Sequence, residues 1–352
     1  MHWQIEKWFT ESEAIDKNDG VLFEDTGGST VLPRELSGLQ HRRVLLAQAL
    51  ESAQRVDDVR QKRNDRPKTP AAVPVADPES QIMPNKDGGF APNYTPVVAV
   101  DGKCGYIADT EVISGNDEAG MTAMLIDQIE DDFGQKPKQV LADALFSNGP
   151  TLQELEDRDI DAYIPVETGA SVNNNPAVRD DITKPVAQED WLKLPRSPQS
   201  KKLDRSAFIY NATEDCYYCP MGIKITYSHS QKSKIEVRYY ECGHCFRCHL
   251  SEDCLIGKSR YRTITRDQYQ YLREKAIARM QTEEGKRNYN RRMWVVEGSF
   301  GLIKAWMGLR QFLCRGLEKV RTEWLWACTA FNLKKLVKAV LDIRRKIATV
   351  TV

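Results

Sequence analysis

The sequence predicts an α/β protein with a cysteine-rich, strand-rich insertion and a helical C-terminal part. Three observations predict it. Between residues 94 and 166, β-rich runs alternate with amphipathic helical ones. Six of the nine cysteines fall between Cys216 and Cys254. From residue 266 a helical pattern continues almost to the end of the 352 residues, interrupted at Gly285, Gly298, Gly308 and Gly316.

Taken in order, residues 1–66 read as a charged helical arm. Leu39, Val44, Leu46, Leu50 and Val56 stand at loosely helical spacing within it. Residues 67–93 contain "RPKTPAAVPVADP" and read as an extended linker. Residues 94–168 form the first part of the core. "YTPVVAVDGKCGYIADTEVI" reads as strand, Asp101-Gly102 turn and strand. "NDEAGMTAMLIDQIEDDFG" is an amphipathic helix capped by Asn116 or Asp117, with Met121, Met124, Ile126 and Ile129 towards a core. "KQVLADALF" is a buried strand ending in an acid. "TLQELEDRDI" opens with a Thr151/Glu154 capping box, and "DAYIPV" is the next strand. Hairpin, helix, strand, helix, strand make an α/β layer with some parallel pairing. Residues 169–265 are an insertion that begins as a polar loop and carries the cysteine cluster. Residues 266–346 are the helical remainder of the core.

The 50 basic residues balance the 50 acidic ones, so net charge names no partner. Its distribution is informative: from Lys304 to Lys346 eleven Lys/Arg face three Asp/Glu. No apolar run is long enough to span a bilayer and no signal-peptide pattern opens the chain, so a cytoplasmic protein with no membrane partner is expected. In a reducing compartment clustered cysteines point to a metal rather than to disulfides.

Two acids stand out. Asp143 ends the apolar run "QVLADALF", where the C-terminal end of a strand faces the ligand crevice of α/β sheets. It equally suits the cap of the next turn. Glu297 lies beside a stripe of Val296, Phe300, Ile303 and Met307, with Lys304 about 20° and Tyr289 about 80° round the same helix. A carboxylate at the margin of a core needs a cation to meet it. An Asp at a strand end and a Glu on a late helix are the hard oxygen ligands that two-metal phosphoryl transfer uses.

At this point the segments "VLADALF", "LEDRDIDAYIPV", "YNATEDCYYCP", "CFRCHLSEDC" and "EGKRNYNRRMWVVEGSFGLIKAWMGLRQFLCRGLEKVRTEWLWACTAFNLKKL" matter together. Over residues 75–340 the chain resembles the bacterial insertion-sequence DDE transposases of RNase H-like fold. The resemblance implies a catalytic site with Asp143 as second acid and Glu297 as third, holding Mg²⁺ (or Mn²⁺). Tyr289, Arg292 and Lys304 would be the accompanying DNA-binding residues. Four residues separate Arg292 from Glu297 where the family commonly has three; on an unbroken α-helix that turns the two about 140° apart. The family's first acid lies on a strand upstream of a charged helical insertion. The chain is expected to start inside that insertion, as a truncated copy lacking the first catalytic Asp, with Asp77 and Asp101 poor substitutes.

The cysteine spacing is Cys216-x2-Cys219 and then Cys242-x2-Cys245-x2-Cys248-x5-Cys254, flanked by the β-rich runs "KITYSHS" and "IEVRYYE". Two such pairs about twenty residues apart fit a thiolate zinc ribbon. The resemblance favours Cys219, Cys245, Cys248 and Cys254 as the metal ligands. Cys216 and Cys242 remain possible replacements, and His244 and His249 are weaker candidates. The Zn²⁺ would be structural, since four thiolates leave no open position. In the C-terminal helices Phe312, Trp324, Trp326 and Phe331 alternate with basic residues, as a core with a phosphate-binding face would. The expected function is DNA transposition at element ends by a dimer on double-stranded DNA. The alternatives are a catalytically dead, zinc-stabilised DNA-binding remnant, and an RNase H-like junction nuclease.

Overall fold

The computed structural model describes residues 34–62, 70–84, 88–115, 118–166 and 174–350, with side chains for 42–61 in the first of these segments and up to 345 in the last. The described residues form two compact units. One draws on Met1–Asp101, Tyr106–Asp117 and Ser299–Val352, the other on Gly102–Gly105 and Glu118–Gly298.

The first unit contains α1 (Arg34–Lys62) and two antiparallel hairpins. β1 (Gln81–Pro84) pairs with β2 (Phe90–Asn93), and β3 (Thr95–Val100) with β4 (Ile107–Ile113) in the register Thr95↔Ile113. The second hairpin is the expected one. Its loop is wider than a two-residue Asp-Gly turn and closes with the Asp101 amide donating to the Tyr106 carbonyl at 2.8 Å. Later helices, here labelled α7 (Gly298–Trp306) and α8 (Leu317–Val350), supply the rest of its core. Val320, Trp324, Ala327, Cys328 and Phe331 recur at helical spacing and are buried with Ile303, Ile107 and Val112. Asn332 closes the strand edge, donating to the Ile107 carbonyl at 2.8 Å and accepting from its amide at 2.9 Å.

The stretch expected as a plain extended linker does more than connect. Besides β1 and β2 it carries Asp77 and Glu79, which accept from the amides of Gly316 (3.2 Å) and Leu317 (2.7 Å) at the start of α8. These amides have no partner inside the helix, and an acid there also meets the positive end of the helix dipole. The Tyr94 hydroxyl donates to Asp77 at 2.7 Å. Burial first, then Asp77, pushes the Tyr94 pKa well up. Asp77 is thus committed to this cap. Gly308 and Gly316 adopt positive φ and do break the helical run, whereas Gly285 and Gly298 lie within helices.

The second unit begins with a 3₁₀ turn (Glu118–Met121) leading into α2 (Thr122–Phe133). The proposed caps Asn116 and Asp117 lie outside the described residues. Then follow β5 (Gln139–Leu141), α3 (Gly149–Asp157) and β6 (Asp161–Tyr163), in the predicted order. β5 and β6 pair in parallel, Val140 opposite Ala162. The N-cap of α3 is Asn148, whose side chain accepts from the Thr151 amide at 2.8 Å, so the expected Thr151 box is not the cap. Pro150 fixes the first turn and moves the start three residues upstream. Ile126, Leu152, Leu155, Ile160, Ile164 and Leu272 are buried together beneath the pair. Among the described residues the hairpin and this parallel pair remain separate two-stranded sheets, where the sequence suggested one layer.

The cysteine region is a five-stranded antiparallel sheet in the order β11-β10-β9-β8-β7. Its strands are β7 (Ile209–Asn211), β8 (Cys216–Tyr218), β9 (Lys224–Lys232), β10 (Glu236–Glu241) and β11 (Thr263–Asp267), with the single turn α4 (Ser251–Cys254) between the last two. Tyr217, Ile225, Tyr240 and Ile264 fill its core. Asp215, at a positive φ of 47°, accepts from the hydroxyls of Tyr210 and Tyr240, each at 2.7 Å, and from Arg238 at 2.5 Å. Burial alone would raise its pKa, but the Tyr240, Tyr210 and Arg238 bonds outweigh it and hold the carboxyl below the usual value of 3.8. A depressed carboxyl stabilises the fold above its unfolded pKa and loses that contribution as pH falls through the folded one. Asp215→Asn, which tolerates the left-handed backbone, is therefore expected to flatten the stability of this sheet against pH below about 4, read by acid titration of tyrosine fluorescence.

Candidate active site and cysteine cluster

α5 (Gln270–Gln281) and α6 (Glu283–Arg292) lead to a π-helical turn, Met293–Glu297, followed in sequence by α7. Gly285 allows the close entry to α6: a Cβ there would stand 2.0 Å from the Arg279 carbonyl oxygen. The π turn resolves the spacing problem. In an α-helix the extra residue turns Arg292 away from Glu297, but i→i+5 bonding brings residues five apart onto one face. The Arg292 Nη1 accordingly lies 3.4 Å from Glu297 Oε1.

Asp143 stands two residues beyond the end of β5, after Ala142. Its Oδ1 accepts from the Leu145 amide at 3.0 Å and caps the 3₁₀ turn Ala144–Phe146. Its two oxygens have different partners, since Oδ2 faces Arg292 Nη2 at 3.3 Å. One guanidinium thus touches both acids, and the structure brings Asp143 and Glu297 to a common cation. Glu297 is more exposed than a core-margin residue, with Met293 and Trp294 beside it in solvent. The apolar stripe is carried on by Phe300, Ile303 and Met307.

Sequence reasoning missed Glu118. Burial first, and then the charge of Asp143, raises its pKa. An acid just ahead of an amphipathic helix reads as a terminal charge, so nothing in its sequence context distinguishes it. Tyr289 is half-buried on α6, one turn before Arg292. Arg291 donates to the Gly102 carbonyl at 2.9 Å. Lys304 belongs to the other unit, exposed on α7 with its Nζ 5.8 Å from the Phe300 ring centroid. Trp324 and Phe331 are core, Phe312 packs against them, and Trp326 is exposed. Of the basic residues on α8, Arg321 pairs with Glu111 at 2.6 Å and Lys334 lies 2.9 Å from the Trp306 ring centroid. Lys319 and Lys338 are exposed to solvent.

Five cysteines, Cys219, Cys242, Cys245, Cys248 and Cys254, line one apolar cavity of about 20 Å³. Cys216 does not; its thiol lies 3.7 Å from Glu214 at the other end of β8. His249 stacks on Trp191. The Cys245 thiol donates to Cys242, which pulls the Cys242 pKa down and pushes that of Cys245 up. Burial raises Cys219 and lifts Cys254 to about 12. All nine cysteines are free thiols. Among the described residues no three His, Cys, Asp or Glu side chains are already arranged as a metal-ligand set. Cysteine sulfur is the donor that structural zinc takes, but these five thiols line the cavity without closing on a common point.

Among the described residues no helix is long and apolar enough to cross a membrane. No curated protein and no solved structure matches the chain. The family model described as "Transposase DDE domain" matches residues 218–337, 120 of the 352 residues, a stretch that includes Tyr289, Arg292, Glu297, Lys304 and the clustered cysteines from Cys219 onward but not Asp143, and over it the chain is similar to a DDE transposase.

Proposed function

We propose that this chain acts in DNA transposition, with Asp143 and Glu297 as two of the acids that hold Mg²⁺ or Mn²⁺ for cleavage and strand transfer at element ends. The observation that carries the reading is the single guanidinium shared by Asp143 and Glu297. Two carboxylates converging on one cation fit a magnesium ion, which takes one or two carboxylates and completes its shell with water and phosphate oxygens. When bound, such an ion polarises a phosphoryl oxygen and lowers the pKa of the attacking water or hydroxyl. Asp143 is held for this by its bond to the Leu145 amide, and Glu297 by the π turn. Tyr289, Arg292 and Lys304 contact DNA phosphates. The protein works as a dimer on DNA in the cytoplasm, where its thiols stay reduced.

Zinc belongs to the cysteine cavity in this reading. Cys219, Cys245, Cys248 and Cys254 would hold it as thiolates, with Cys242, which lines the same cavity, able to replace Cys245. Cys219→Ser is expected to release the metal and lower the melting temperature, whereas Cys216→Ser leaves metal content unchanged, both measured by elemental analysis of purified protein. Equal zinc in all three proteins contradicts this ligand set.

The test of function is incubation of purified chain with labelled duplex carrying the element ends and Mg²⁺ or Mn²⁺. Nicking or joining at the ends supports the proposal. A gel shift without cleavage supports a second reading, a zinc-stabilised DNA-binding remnant, which the convergence of two acids rather than three on Arg292 among the described residues favours. Cutting of branched DNA without element ends identifies a junction nuclease.

A further inference from the structure

Arg292 lies between Asp143 and Glu297, in contact with the oxygens that a metal ion shared by the two acids would take. Its side chain is 21% exposed, so the guanidinium is partly withdrawn from water, and its Nη1 and Nη2 each face one of the two acids at 3.4 and 3.3 Å. The neighbouring arginine is engaged elsewhere, on the Gly102 carbonyl. Arg292 is the cation that meets both acids.

A guanidinium and a divalent ion repel each other and compete for the same oxygens, so the two acids hold one or the other. We propose that Arg292 is an internal counter-ion, which a divalent cation displaces from Asp143 and Glu297, and that the freed guanidinium then takes a phosphate of the DNA. The chemistry of arginine suits both states. Its planar fork reaches two carboxylates at once, and the same fork binds a phosphate bidentately. The extra residue absorbed by the π turn gives the fork this reach, since an unbroken α-helix points Arg292 elsewhere. The exchange links the two ligands: metal raises affinity for DNA, and by reciprocity DNA raises affinity for metal.

This inference rests on the reading of Asp143 and Glu297 as metal ligands, and the experiment separates the two. Mn²⁺ is titrated into the full chain without DNA, followed by the loss of the free-ion electron paramagnetic resonance signal. Wild type, Arg292→Gln, Arg292→Lys and the double variant Asp143→Asn/Glu297→Gln are compared. Loss of two partly exposed ion pairs predicts that Arg292→Gln binds Mn²⁺ about fivefold to tenfold more tightly than wild type. Arg292→Lys, whose one ammonium cannot bridge both acids, falls between and serves if the glutamine variant does not fold. If Arg292 merely props the acids in place, Arg292→Gln binds Mn²⁺ more weakly, and the counter-ion role is overturned. Unchanged affinity overturns it equally. Wild-type affinity in the double variant, or no binding in any protein, removes the metal reading as well. In the second stage Mn²⁺ raises the affinity of wild type for a fluorescent duplex and leaves that of Arg292→Gln unchanged; equal enhancement in both overturns the release of Arg292 to phosphate.

Discussion

Glu297→Gln is expected to abolish divalent-cation-dependent DNA cleavage, with a fall in single-turnover rate on the order of 10³-fold. The amide preserves the shape and length of the side chain but removes the negative charge that a hard cation requires. The substitution leaves the fold alone, because the side chain is 56% exposed and its recorded ion pair is the one with Arg292. Thermal melting within a degree or two of wild type, together with lost cleavage, is the expected pair of results. A variant that cuts DNA at the wild-type rate places the chemistry elsewhere. Asp143→Asn is a less clean test, since Asp143 also caps a turn through its Oδ1.

Trp324→Ala is expected to cost the first unit about 3–5 kcal/mol. Trp324 is buried, stacks on Phe300 at a centroid distance of 5.8 Å and meets Phe312 edge-on at 6.2 Å. Its indole N–H donates to the Thr110 hydroxyl on β4 at 2.6 Å. Truncation opens a cavity where α8 meets the hairpin and removes that bond as well. Trp324→Phe keeps much of the volume and loses the bond, so it separates the two contributions and is expected to cost less. Denaturant unfolding of the three proteins measures both. A loss under 1 kcal/mol in Trp324→Ala contradicts the placement of this side chain in the core.

The order of elements was legible because it depends on local pattern. Val97, Val98 and Val100 against Ile107, Val112 and Ile113 read as paired strands, and "TAMLIDQIEDDF" reads as a helix, without knowledge of anything distant. Partners far apart in sequence were not legible. Asp77 and Glu79 cap α8 from some 240 residues upstream, and no local signal says so. The same limit hid Glu118, whose significance is its neighbour Asp143. The π turn is an intermediate case. The extra residue between Arg292 and Glu297 was visible, but sequence spacing alone assumes α-helical geometry and puts the two on different faces. In the cysteine cluster the count was legible and the choice was not. Cys216 and Cys219 are three residues apart, yet they part company because Cys216 turns to Glu214 whereas Cys219 enters the cavity.

Ferrous ion offers the most direct measurement of the central claim. In the presence of ascorbate and peroxide, Fe²⁺ seated in a magnesium site generates radicals that cut the polypeptide backbone beside its ligands. Cuts near both residue 143 and residue 297, suppressed together by excess Mg²⁺ and absent from the Asp143→Asn/Glu297→Gln variant, are the result predicted here. Cuts near only one of the two, or none that Mg²⁺ suppresses, would contradict a shared metal seat.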